Sequence, residues 1–161
     1  MSKIGTEQPL AILSAQEMLA GFKAKKFSPT EVLDSVIGRL EAVQGPLNVM
    51  VADMFDEART AARAATEAWA KDAPTGPLCG VPVTIKDLIY VKGVRGAAGS
   101  VLLKDFVTPV DAAPVERLRR AGAVLTCKTT TCEVGYKLTA DSPLTGTTRN
   151  PTRDAIIPTP G

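Results

Sequence analysis

The residue whose type and position could most directly do chemistry is Lys86, which ends the apolar run of residues 81–85 and is followed at once by Asp87. A Gly/Pro turn precedes this run, so the pattern predicts a strand that carries a lysine at its end. We expect this strand to be central in its sheet and Lys86 to be mostly buried, with its amine directed toward residues 96–100 or 141–148. Partial desolvation there makes a neutral amine accessible, and a neutral amine can act as a general base. The commoner alternative on spacing alone is a solvated lysine that pairs with Asp87 or another neighbour.

Other catalytic groups are limited because the chain contains no histidine. A Ser-His-Asp triad, a Cys-His dyad and a histidine-ligated zinc site are therefore excluded within it. Cys79, Cys127 and Cys132 form no CxxC pair and show no evident electropositive partner, so we expect free thiols without a catalytic role. Ser100, Ser142 and the threonines at 129–131 could be nucleophiles or turn caps, and a residue of this kind on its own is more often a cap.

Nucleotide-binding motifs are also absent from the sequence. Residues 122–129 come within one residue of the phosphate-loop pattern GxxxxGK[ST], but Cys127 replaces the second glycine. That loop needs a strand before its first glycine, whereas a helix is predicted there and the strand falls inside the motif. A phosphate cradle also needs the backbone freedom of the missing glycine. We therefore predict no phosphate loop, and the lack of GxGxxG removes support for dinucleotide binding.

Composition narrows the class of protein. The chain has 161 residues, a formal net charge of +2, 45% hydrophobic residues and 4% aromatic residues. This length and apolar fraction predict one domain with its own core. The small charge and few aromatics argue against direct nucleic-acid binding. No run reaches the roughly 20 apolar residues of a membrane span, and no signal-peptide pattern follows Lys3, so we expect a cytoplasmic protein without membrane contact.

The elements that must position Lys86 can be read from caps and periodicity. Capping boxes at Ser14 and Ser28 predict two amphipathic helices, the first ending near Lys25 and the second broken by Gly45-Pro46. Helices and strands alternate along the chain, and this order favours an α/β architecture. The further predicted elements are a strand over 47–51, an Ala-rich helix over 55–71, a strand over 83–85, a helix over 111–121 closed by Gly122, and a strand over 123–126.

Taken in order, these motifs resemble the N-terminal part of the amidase signature family, which includes fatty-acid amide hydrolases, bacterial amidases and the A subunit of the glutamyl-tRNA amidotransferase. The resemblance is collinear from about Leu13 to Pro151, and its most specific segment is residues 76–87 (GPLCGVPVTIKD). Other matching segments are 13–15 (LSA), 28–33 (SPTEVL), 47–48 (LN), 99–103 (GSVLL), 111–112 (DA), 115–123 (VERLRRAGA), 128–129 (KT), 133–135 (EVG) and 141–151 (DSPLTGTTRNP).

The resemblance implies a Ser–cis-Ser–Lys amide hydrolase in which Lys86 is the base. In that family the lysine acts through a bridging serine, which relays a proton from the nucleophilic serine that forms the acyl-enzyme. The implied partner is a small-molecule amide, no metal or organic cofactor is implied, and a homo-oligomer stays open. Two alternatives remain: an A subunit of a glutamyl-tRNA amidotransferase, and a non-catalytic truncated remnant.

The resemblance also implies the fold class, α/β, as the N-terminal part of an α/β/α sandwich with a mixed sheet. We expect residues 1–12 to be a flexible lead and residues 13–161 to be the N-terminal part of a single amidase domain. The family continues from its Arg-Asn-Pro segment, here residues 149–151, into a Gly/Ser-rich stretch that carries the bridging serine. Because this sequence stops at Gly161, we expect truncation before that stretch, with Lys86 as the only triad member and no activity from the chain alone.

Overall fold

Helices pack on a mixed sheet, which confirms the predicted α/β class. The computed structural model describes residues 9–151. The helices α1 to α4 span Ala15–Lys23, Pro29–Leu47, Phe55–Ala70 and Ala113–Arg120, and the strands β1 to β5 span Met50–Asp53, Pro82–Lys86, Val124–Thr129, Asp141–Ser142 and Gly146–Thr147. Short 3₁₀ turns occupy Leu10–Ile12, Val101–Leu103 and Glu133–Gly135.

The main sheet has three strands in the order β1-β3-β2, and β4 pairs with β5 in a separate hairpin. β1 runs antiparallel to β3, and β2 runs parallel to β3 with Lys86 opposite Thr129. Within residues 9–151, β2 is therefore an edge strand, and the expectation that Lys86 ends a central strand is wrong for this sheet. An apolar run indicates that both faces of a strand are covered, but it does not indicate how many strands flank that strand.

The layers follow from two neighbouring residues of β3, whose side chains point to opposite faces of the sheet. Val124 packs against helices α2 and α3, and Leu125 packs with Ile85 and with Val115 of α4. The sheet thus lies between helices on both faces. The apolar cluster of the first face contains Leu33, Ile37, Ala58, Ala62 and Val124, and that of the second contains Met54, Ile85, Val91, Val115 and Leu125.

Both predicted capping boxes are present at the starts of α1 and α2. The Ser14 hydroxyl accepts from the Glu17 amide while Ser14 N donates to the Glu17 carboxylate at 2.8 Å, and Ser28 and Glu31 repeat this arrangement. In each box the serine hydroxyl and the serine backbone amide both donate to the glutamate carboxylate. These hydrogen bonds lower the pKa of Glu17 and Glu31, and the hydroxyl has the larger effect. Each box satisfies helix-terminal amides that would otherwise lack partners.

The second helix is longer than predicted, because α2 continues through Gly45 and Pro46 to Leu47. A proline in the last turn removes only one intrahelical hydrogen bond, so the helix tolerates it there. Asn48 follows Leu47 as the C-terminal capping residue and has a left-handed φ of 56°. Gln44 then caps the end, since its side-chain oxygen accepts from the amides of Val49 and Met50 at 3.1 and 2.8 Å.

The closure of α4 by Gly122 is confirmed. Gly122 has a φ of 82°, its amide donates to the carbonyl of Arg119, and the amide of Ala123 donates to that of Leu118. This pair of hydrogen bonds is a Schellman motif, which glycine favours because it adopts a left-handed φ without strain. The motif turns the chain directly from α4 into β3.

The predicted lead falls mostly outside the described residues, as does the chain end at Gly161. Within the part that is described, Leu10–Ile12 form a 3₁₀ turn, and the Ala11 amide donates to Ser35 Oγ on α2 at 3.1 Å. Among the described helices, none is both long and apolar enough to cross a bilayer.

The capping box of α2 predicts a pH dependence of stability. Because the folded state lowers the pKa of Glu31, its stabilising effect is complete above the ordinary carboxyl pKa of about 4.3 and disappears as the pH falls through the folded value. Glu31→Gln should therefore flatten the acid limb of the stability curve. Urea unfolding followed by circular dichroism, from neutral pH to about pH 3, measures the free energy of unfolding at each pH. Glu41→Gln, on the exposed surface of α2, is the matched control, and equal curves for the two variants would contradict the prediction.

Candidate functional site

Lys86 is the last residue of β2 and is partly buried. Its backbone is fixed by pairing with Thr129 and by the Ile89 amide, which donates to the Lys86 carbonyl at 2.9 Å. In the described part of the chain, its ammonium group has no hydrogen-bond or ion-pair partner. The expected direction of the amine, toward residues 96–100 or 141–148, stays a prediction.

The loops that follow β2 and β3 meet beyond the ends of these strands. The Val134 amide donates to the Ala98 carbonyl at 2.8 Å, and Ser100 Oγ donates to Glu133 Oε1 at 2.8 Å. A Cβ on Gly99 would lie only 3.0 Å from the Thr131 carbonyl oxygen, so the glycine allows this close approach. Because the carboxyl ends of parallel strands lie at the same end of the sheet, both loops lie at the end that carries Lys86.

The two loops hold residues in an unusual backbone conformation. Ala98 has a φ of 49° and Val134 a φ of 44°, and these are the residues joined by the loop-to-loop hydrogen bond. The left-handed region is disfavoured for residues with a Cβ, most of all for a β-branched one such as valine. Strain of this kind persists only where surrounding contacts impose it, and it often marks functional sites.

The two candidate serines have different roles. Ser100 is buried with an exposure of 4%, and its hydroxyl is committed to the Glu133 carboxylate rather than to the amide of a helix. Ser142 accepts from the Thr145 amide at 3.1 Å and contacts its hydroxyl at 2.8 Å, which is a turn cap. Within residues 9–151, neither hydroxyl forms a hydrogen bond with Lys86.

Sequence reasoning missed a buried ion pair beside Lys86. The carboxylate of Asp87 lies 3.3 Å from the ammonium group of Lys128, and their side chains are 1% and 0% exposed. The alternative in which Lys86 pairs with Asp87 is therefore wrong, since Asp87 pairs with Lys128. The only signal in the sequence was the lysine inside the apolar run of β3, where an unpaired charge would be costly.

All three cysteines are buried free thiols, as predicted. The Cys132 thiol donates to the Lys137 carbonyl at 3.0 Å and accepts from its amide at 3.1 Å, so it closes a loop. Burial raises the pKa of the Cys127 thiol, which disfavours the nucleophilic thiolate. The absence of a catalytic role stays a prediction.

Two further features bear on ligand binding. A surface cavity of about 430 Å³ lies among α1, α2 and α3, with Phe22, Phe27 and Trp69 in its walls, and none of its lining residues belongs to the loops that follow β2 and β3. Within residues 9–151, no cluster of three or more Cys, Asp or Glu residues could hold a metal ion. The geometry thus leaves the carboxyl ends of β2 and β3 as the candidate site.

Comparison with known proteins decides the family. The Amidase family model matches residues 31–161, which include the whole β2–β3 unit and Lys86. This chain belongs to the Amidase family. The resemblance to amidase signature enzymes is thereby confirmed, and members of this family are amide hydrolases that act on C–N bonds.

Individual members of the Amidase family match most of the chain. It is 42% identical over 119 residues to the A subunit of the glutamyl-tRNA(Gln) amidotransferase of Anaeromyxobacter dehalogenans, covering 74% of this chain and 24% of that protein. It is 39% identical over 148 residues to an acylamidase of Rhodococcus erythropolis, covering 91% and 31%. A bacterial aryl acylamidase crystal structure aligns with a TM-score of 0.85 at 31% identity, covering 91% and 31%. The chain spans about a quarter to a third of the length of these relatives.

The buried thiols should react slowly with iodoacetamide in the native chain, and Cys127 slowest, because its raised pKa reduces the thiolate fraction. Peptide mapping by mass spectrometry at mildly alkaline pH measures the rate at each cysteine. The same reaction in concentrated guanidinium chloride is the control, where all three should react alike. Rapid native modification of Cys127 would contradict the burial argument.

Proposed function

We propose that this chain supplies Lys86 as the general base of an amidase that hydrolyses carboxamides through an acyl-enzyme. The observation that carries the proposal is the position of Lys86, which ends β2 partly buried and without a partner in the described residues. A lysine placed in this way keeps its amine free to take a proton from a group that approaches it. Membership of the Amidase family supports amide hydrolysis as the reaction.

In the proposed reaction the neutral Lys86 amine takes a proton from a bridging serine, which takes one from the nucleophilic serine. The nucleophile attacks the amide carbonyl, the C–N bond breaks, and the leaving amine receives the proton. Water then attacks the acyl-enzyme and releases the carboxylate, with the proton passing along the same chain. The resemblance puts the bridging serine in a Gly/Ser-rich stretch after residues 149–151, and both serines are expected from outside the described part of the chain.

The architecture around Lys86 supports this role. Ligand sites in α/β sheets lie at the carboxyl ends of parallel strands, where loops from two strands meet. Here the loops after β2 and β3 meet there and are joined by the Ser100–Glu133 hydrogen bond. The strained φ values of Ala98 and Val134 indicate that surrounding contacts hold this region in one conformation.

A second candidate is the A subunit of a glutamyl-tRNA amidotransferase, which the 42% identity to one such protein favours. In both candidates the first step cleaves an amide C–N bond, so Lys86 would have the same role. They differ in whether ammonia is released to solvent or passed to an acceptor. Glutamine as the preferred substrate, with turnover that depends on partner proteins, would favour the amidotransferase over the hydrolase.

The role of Lys86 can be tested in a chimera in which this chain replaces the matching 31% of the Rhodococcus erythropolis acylamidase. We expect Lys86→Ala to lower kcat of the chimera by about 10²–10⁴-fold, the usual loss for an acid/base group. Steady-state kinetics on an amide that the parent acylamidase hydrolyses measures the loss. Lys92→Ala, at an exposed lysine of the following loop, is the matched control and should leave kcat unchanged. An unchanged kcat in a folded Lys86→Ala chimera would refute the proposal.

The 161-residue chain by itself should not hydrolyse amides, because a base alone supplies only part of an amidase rate. It should also self-associate, since β2 has an open edge within the described sheet and Leu102, Tyr136 and Leu138 are 93%, 90% and 88% exposed. Amide hydrolysis assays and light scattering measure both properties. Turnover comparable to that of the acylamidase, from a stable monomer, would contradict this expectation.

A further inference from the structure

The ion pair between Asp87 and Lys128 is more deeply buried than any other in the described residues. The ammonium group contacts Asp87 Oδ1 at 3.3 Å and donates to the Ile89 carbonyl at 2.7 Å. The carboxylate receives no hydrogen bond from the described part of the chain, so its charge is compensated by Lys128 alone. Burial lowers the pKa of Lys128, and the Asp87 carboxylate opposes that shift.

Hydrogen bonds link both residues of this pair to the backbone around Lys86. Asp87 follows Lys86 directly, and its amide donates to the Thr129 carbonyl at 3.0 Å, the residue that pairs with Lys86. Ile89, whose carbonyl binds the Lys128 ammonium, donates its amide to the Lys86 carbonyl at 2.9 Å. The side chain of Lys128 therefore connects β3 to the second and last residues of the turn from Lys86 to Ile89.

We propose that the buried Asp87–Lys128 ion pair positions Lys86 by fixing the turn after β2 to the neighbouring strand β3. The inference rests on the function proposed above, because positioning matters for catalysis only if Lys86 is the base. Asp87 and Lys128 act through Lys86 and are positioning residues.

Stability alone does not account for the pair. Apolar side chains of similar volume are often as stable as a buried ion pair, or more stable. The ammonium group, unlike an apolar group, specifies direction, because it must face two acceptors on different parts of the turn. Gly96 lies close to the ammonium group, since an added Cβ there would be in ordinary contact with Lys128 Nζ at 4.0 Å, but the side chain that a Cβ at Gly96 would crowd is Thr108, whose Cγ2 would lie at 2.5 Å.

The decisive variant removes both charges at once, as Asp87→Leu with Lys128→Met. Either change alone leaves a buried charge without its partner and should lower the unfolding midpoint sharply, whereas the double change should recover most of the loss. If the pair only stabilises the fold, the double variant also restores the environment of Lys86. If the pair positions Lys86, stability returns and the local order around Lys86 does not.

The readout on the 161-residue chain is independent of activity. Limited acetylation with an activated ester, quantified by mass spectrometry, measures the reactivity of Lys86, with Lys92 and Lys104 as internal controls. In the double variant we expect Lys86 to react several-fold faster, and hydrogen exchange of the Ile89 amide to rise roughly tenfold, with both controls unchanged. Unchanged Lys86 reactivity and exchange in the folded double variant would overturn the proposal.

Asp87→Glu provides a second route if the double variant does not fold, since it keeps both charges of the buried pair and changes only the length of the side chain that joins the turn to Lys128. It should shift Lys86 reactivity and Ile89 exchange in the same direction, and no change in either would overturn the proposal.

In the acylamidase chimera, the double variant should lower kcat about 10²-fold with KM unchanged, the loss expected from misplacing a catalytic group. Activity that survives Lys86→Ala refutes the proposed function, whereas activity lost in Lys86→Ala but retained in the double variant refutes only the positioning role.

Discussion

The parallel ladder between β2 and β3 is the constraint on which the site depends. It places Lys86 opposite Thr129 and makes both strands end at one edge of the sheet. Two parallel strands cannot be joined by a tight turn, so the chain must pass through a long crossover that contains α4. The loops at the start of that crossover and after β3 are thereby brought together, and the Ser100–Glu133 and Ala98–Val134 hydrogen bonds become geometrically available.

Two lysines at this ladder show opposite solutions to the cost of burying a charge. Lys128 is fully buried, and it is tolerated there because Asp87 and the Ile89 carbonyl compensate its ammonium group. Lys86 is only partly buried and has no such partner in the described residues. The compensated lysine is suited to holding structure, whereas an uncompensated amine is suited to exchanging a proton. The structural role and the proposed proton-transfer role thus fall on two different lysines, Lys128 in β3 and Lys86 at the end of β2.

Sequence reasoning succeeded where the controlling interactions are local. The Ser14 and Ser28 capping boxes and the Gly122 closure each depend on residues within one helical turn, and each is found where it was predicted. The fold class followed from the alternation of these elements. What could not be predicted depends on distant pairing: the edge position of β2, the Ser100–Glu133 bond across 33 residues, and the Lys128–Ile89 bond across 39. The extension of α2 through Pro46 was missed because proline was treated as a helix breaker at any position, whereas in the last turn of a helix it costs only one hydrogen bond.

The edge position of β2 bears on where an amidase site can be completed. An edge strand has unpaired backbone groups along one side, and such groups attract a further strand or cover. Lys86 ends this strand, and the segments that follow β2 and β3 in the chain leave Leu102 and Tyr136 exposed. Polypeptide that paired with β2 would run alongside the strand that ends at Lys86. Under the function proposed above, a strand added at this edge would also bring polypeptide close to the proposed base, so extension of the sheet and approach to Lys86 would be coupled.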